Sequence, residues 1–109
     1  MMKVVFAGHD DDGLGERLED KGNEVAFVED IATRPALEEA GIVDADLFAL
    51  TDVGQATAVP IAKDLNDDLR VVIYSRDSLP EFASAQVDFA VDPDLLGPDA
   101  VAEELSDAA

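Results

Sequence analysis

The sequence predicts an α/β fold: a doubly wound, five-stranded parallel sheet of the Rossmann/flavodoxin type with strand order 2-1-3-4-5. Three observations predict it. Five short apolar runs recur along the 109 residues, segments of helical pattern separate them, and each connection is long enough for a right-handed crossover.

The strands are expected at Lys3–Gly8 (KVVFAG), Glu24–Glu29 (EVAFVE), Asp46–Thr51 (DLFALT), Arg70–Ser75 (RVVIYS) and Val87–Asp92 (VDFAVD). The first, third and fourth are near-continuously apolar, as suits strands covered on both faces. The fifth alternates Val87, Phe89 and Val91 with polar or small neighbours, which suits an edge. Between them, Gly13–Lys21 carries Leu14 and Leu18 four apart, with Gly22 to end the helix. Pro35–Ala40 has Thr33 as N-cap, Pro35 near its first position and Gly41 at its end. Gly54–Leu65 is helical with a kink or restart at Pro60. Leu79–Ala85 is a short helix, and Pro98–Leu105 turns Val101 and Leu105 inward. No linker or repeat interrupts residues 1–109, so a single domain is expected.

Composition narrows the function. Apolar residues make up 48%, enough for a folded core. Without Cys there is no disulfide, thiolate nucleophile or Cys-ligated zinc. No apolar run reaches the ~18 residues of a membrane span. The opening MMKVVFAG passes directly into a strand, so a cytoplasmic protein is expected. Asp and Glu number 26 against 7 Lys and Arg, a formal charge of −19. Nucleic acid and anionic membranes are repelled by such a surface. Its self-repulsion destabilises a compact fold at low salt but is largely screened at 1 M, where the Debye length is ~3 Å. The composition is that expected of a chain adapted to a halophilic cytoplasm.

With this strand order, the crevice lies at the carboxyl ends of strands one and three, where Gly8–Gly13 faces Thr51–Gly54. His9 is the only histidine, in the loop after strand one, with no nucleophile near it in sequence. Asp10, Asp11 and Asp12 offer oxygen ligands for a hard cation or, alternatively, one helix cap and two solvated acids. Arg34 and Arg76 are the positive charges at this edge, able to pair a phosphate or neighbouring acids.

Several blocks carry a family resemblance. AGIVDADLFALTD, DLNDDLRVVIYSRD and VDFAVDPDLLG, with VVFAG and GNEVAFVED before them, resemble the TrkA-N, or RCK-type, nucleotide-binding domain of potassium-transport regulators. The resemblance implies NAD or an adenine nucleotide as cofactor, held by Gly8, His9, Asp10, Gly13, Asp30, Thr51, Asp52 and Gly54. Gly54 would open a helix beside it. One helix and one strand of that family are missing between VED and AGI, as are its later sensing strands. The glycine loop also departs: GHDDDG keeps the first and third glycines of GxGxxG as Gly8 and Gly13 but puts Asp10 at the second. A carboxylate ~4 Å from a phosphate costs about 1 kcal/mol in water and about 4 kcal/mol at an effective dielectric near 20, so Asp10 opposes a dinucleotide. The chain is similar, too, to a small acidic family of salt-loving archaea labelled CTP synthetase. It has neither a Cys for a glutaminase nor a GxxxxGKS/T phosphate loop.

A third resemblance is to receiver domains of response regulators. They share the strand order, acids after strand one and a phospho-accepting Asp after strand three. Asp52 and Ser75 fit, but Asp92-Pro93-Asp94 stands where strand five should end in Lys. The expectation is a non-catalytic regulatory or adaptor domain with a degenerate glycine loop. A nucleotide-dependent enzyme or subunit and a receiver-like module are the alternatives. Strand two, left at an edge, and the small apolar residues of Gly54–Leu65 point to a homodimer or a protein partner.

Overall fold

A computed structural model describes residues 1–107. The sheet is parallel throughout and ordered β2-β1-β3-β4-β5, as the sequence predicts. Its strands are β1 Lys3–Ala7, β2 Glu24–Val28, β3 Leu47–Leu50, β4 Arg70–Tyr74 and β5 Phe89–Val91. Every residue of β3 is buried, and in β1 and β4 only the first residue is not. Their unbroken apolar runs therefore report burial on both faces.

Alternate side chains enter two separate layers. On one face Val5, Ala7, Phe48, Leu50, Val71 and Ile73 pack under α2 Arg34–Glu39, α3 Ala58–Leu65 and α4 Glu81–Ser84. On the other, Val4, Phe6, Leu47, Ala49, Val72 and Tyr74 meet α1 Leu14–Asp20 and α5 Pro98–Asp107. This second layer joins distant parts of the chain, because Met2 lies in it together with Val101, Ala102 and Leu105 of α5. Asn23, buried, ties the same parts by hydrogen bonds. Its side-chain carbonyl accepts from the Met2 backbone N–H at 2.9 Å, and its amide donates to the Ser106 hydroxyl at 2.9 Å.

Three helix expectations need correction. The stretch from Gly54 does not begin as an α-helix: the Asp52 carboxylate accepts from the Gly54 N–H at 2.9 Å and holds Val53–Gln55 as a 3₁₀ turn. Helix α3 starts only at Ala58, so Gly54 opens no α-helix. Pro60 then falls in the first turn, where a missing N–H leaves no helix bond broken, and no restart is needed. The small residues Ala58, Val59 and Ala62 are buried against the sheet, so they supply core rather than an interface.

Candidate functional site

The carboxyl ends of β1, β3 and β4 surround a cleft of about 480 Å³. Gly8 makes it possible. At φ +98° it turns the chain off β1, and a side chain there would overlap the Thr51 hydroxyl. The Thr51 hydroxyl donates to the His9 backbone carbonyl at 2.7 Å, pinning the loop after β1 to the end of β3. His9, Asp11 and Asp12 line one wall, Thr51 and Asp52 the floor, and Tyr74, Ser75, Arg76 and Asp77 the other wall.

The three consecutive aspartates have separate fates. Asp10 is the one that caps α1: its carboxylate accepts from the N–H groups of Gly15 at 2.8 Å and Glu16 at 3.1 Å. An acid at a helix N-terminus meets unsatisfied N–H groups and the positive end of the dipole. Asp10 is therefore not aimed across the glycine loop, and Asp10→Gly removes a cap rather than an obstacle. Asp10→Ala is expected to cost about 1 kcal/mol in a urea melt, with the exposed Asp11→Ala as the near-neutral control. Equal losses in both variants would contradict the assignment. The close helix–strand approach also falls elsewhere than at Gly13: a Cβ on Gly15 would stand 2.6 Å from the Phe27 ring, while Gly13 meets nothing nearer than Arg17 at 4.0 Å.

Asp12 reaches across the cleft. Its two oxygens accept from Arg76 at 3.1 and 3.2 Å in a bidentate pair, and the remaining guanidinium edge donates to Asp94 at 3.0 Å. One side chain thus links the loops after β1, β4 and β5. These two carboxylates, chiefly by their hydrogen bonds, hold Arg76 more firmly protonated than a free guanidinium. Tyr74, buried behind it, donates its hydroxyl to the Leu96 carbonyl at 2.9 Å. Burial first, then the charge of Asp12, raises its pKa above the ordinary tyrosine value.

Among the sequence candidates, the structure brings His9, Thr51, Asp52 and Arg76 together around the cleft, with Gly8 beneath. It leaves others apart. Asp30 is exposed beyond β2, Gly13 precedes α1, and Arg34 pairs with Asp64 of α3 at 2.7 Å. Among the described residues, no group of three or more His, Asp or Glu is arranged to hold a metal ion. Tyr74 and the Asp12–Arg76 link were missed. Tyr74 is the only tyrosine and ends a buried strand, which was a usable signal, whereas nothing in the sequence pairs positions 12 and 76. No described helix is long and apolar enough to cross a membrane.

Several solved structures share this fold. HP1043, an orphan response regulator of Helicobacter pylori, superposes with a TM-score of 0.74 at 18% identity, over 97% of this chain and 94% of that one. A protein described as pilus assembly-related, from Burkholderia pseudomallei, superposes with a TM-score of 0.70 at 18% identity, over 99% and 89%. A response regulator of Burkholderia multivorans superposes with a TM-score of 0.60 at 15% identity, over 99% and 95%. The fold is therefore the flavodoxin-like fold of receiver domains. These neighbours overturn the resemblance to TrkA-N domains, and neither they nor the family match below lend weight to the CTP synthetase label. Both fold types share the generic α/β pattern on which that resemblance rested. The NAD or adenine nucleotide expected on Gly8, His9, Asp10, Gly13, Asp30, Thr51, Asp52 and Gly54 rested on that resemblance and draws no support from these neighbours. No curated protein matches the chain. The profile of the Family of unknown function (DUF7126) matches residues 4–105, and the chain belongs to that family.

Proposed function

We propose that this chain is a receiver-like regulatory module that works by docking a protein partner and not by carrying a phosphoryl group. The observation behind it is the Arg76 link. In the cleft where an acidic constellation would gather a cation and a phosphoryl donor, Asp12 is bidentate to Arg76 and Asp10 is turned into the α1 N-terminus. Asp52 caps the turn at Gly54, and Thr51, directly after β3, donates its hydroxyl to the His9 carbonyl. No Lys ends β5; Asp92 follows it, and Asp94 supports Arg76 from there. Two acids and an arginine hold one another, so the loops stay together without an added ion.

Incubation with acetyl phosphate and Mg²⁺, followed by intact mass measurement, tests this. The expected result is no phosphoryl adduct on the wild-type chain. An adduct that disappears in Asp52→Asn would overturn the proposal and establish a phospho-accepting receiver.

A further inference from the structure

The far side of the β4–β5 edge carries a second concavity, distinct from the cleft. It is a groove of about 530 Å³ between β5 and α5. Val72, Val91, Val101 and Leu105 form its apolar base, with Phe89 and Leu96 on its flanks. Phe89 and Leu96 are 45% and 47% exposed, and the neighbouring Leu95 is 81% exposed. Strand β5 is only three residues long and, among the described residues, has no strand on its outer side. Large apolar side chains gathered at one place on so acidic a chain differ from scattered surface hydrophobics and mark a contact surface.

The rim says what kind of partner fits. Glu103, Glu104 and Asp107 stand along the groove on α5, and among the described residues no Lys, Arg or His lines it. None of the ion pairs among the described residues involves Glu103 or Glu104. A second copy of this chain, at −19, would set the same acids against these. An anionic lipid surface would be repelled as well. We infer that the β5–α5 groove receives an amphipathic helix from another protein, with apolar side chains entering it and Lys or Arg along their flanks meeting Glu103, Glu104 and Asp107. Helix-in-groove recognition of this type draws affinity from the apolar stripe and orientation from the flanking charges. The inference rests on the docking role proposed above and gives that role a place and a ligand chemistry.

A fluorescently labelled Leu/Lys peptide of amphipathic helical pattern is the probe, with a scrambled peptide of equal composition and charge as control. Titration by anisotropy should show the amphipathic peptide binding about tenfold or more tightly than the scrambled one. Leu96→Ser, at an exposed position that leaves the core intact, should weaken binding about tenfold. Glu103→Gln with Glu104→Gln should weaken it and flatten its salt dependence. Glu38→Gln with Glu39→Gln, equal in charge on exposed α2, should change little. Equal binding of both peptides, or equal losses from the α5 and α2 acids, would overturn the inference as general charge attraction. Sedimentation of the free chain showing a dimer that Leu96→Ser dissolves would overturn it in favour of a second copy. Repeating the titration after acetyl phosphate treatment separates the two proposals. A phosphoryl adduct defeats the docking-only role whatever the peptide does, whereas absent binding without an adduct defeats the groove alone.

Discussion

Phe48→Ala is expected to lower the unfolding free energy by about 3–5 kcal/mol, read as a fall in the urea midpoint at unchanged slope. Phe48 is fully buried in the middle of β3, a central strand, and packs in the layer beneath α2 and α3. Removing its ring loses the transfer free energy of the buried carbon and leaves a cavity walled by Val5, Leu50 and Val71, which strand pairing on both sides keeps from collapsing. Phe82→Ala provides the contrast. That ring is 58% exposed on α4, so its loss should cost about 1 kcal/mol or less. A Phe48→Ala loss no larger than that of Phe82→Ala would mean that the two-layer packing is wrong.

Gly8→Ala is expected to cost about 2–4 kcal/mol by the same measurement. Two effects combine. An alanine at φ +98° occupies backbone space that L-residues avoid, and its Cβ runs into the Thr51 hydroxyl, with the Asp52 backbone nitrogen 3.1 Å away. Thr51→Ala relieves only the second effect. The double variant should therefore recover part of the loss, and the size of that recovery measures the steric coupling between the ends of β1 and β3. Strict additivity of the two substitutions would show that the loop after β1 moves aside and does not rest on Thr51.

Strand positions were legible because burial on two faces leaves a direct mark on the sequence. VVFA, LFAL and VVIY carry their environment in their composition, and the weaker EVAFV and FAV reveal edges by their mixture. Right-handed crossovers made the sheet parallel and doubly wound, and 2-1-3-4-5 is one of the common orders they allow. Cap assignments within Asp10–Asp12 were not legible. Three identical side chains in a row differ only in where the backbone points them, and Gly13 at φ +82° fixes that after the fact. The 3₁₀ turn before α3 escaped for a related reason: an Asx bond from Asp52 competes with helix initiation at Gly54, and composition records only that both outcomes are polar. The cleft's position was readable, since Thr51 and the Gly8 loop had to meet. Its electrostatic closure was not, because the partner of Asp12 lies in the loop after β4. The groove beside α5 was not readable either, because it depends on a three-residue strand leaving Phe89 partly uncovered.

The seam of Met2, Asn23 and α5 has a consequence for the order in which the molecule can assemble. A ribosome delivers β1 first, yet the face of that strand bearing Val4 and Phe6 is not fully covered until Val101, Ala102 and Leu105 have been made. The opposite layer draws on nothing later than Ala83 and Val87, so it can close while the last helix is still being synthesised. A stage with one finished layer and one open one is then open to the nascent domain, whose dense negative charge opposes association with its neighbours. Arrival of α5, secured by the bond from Asn23 to Ser106, is the event that ends this exposure.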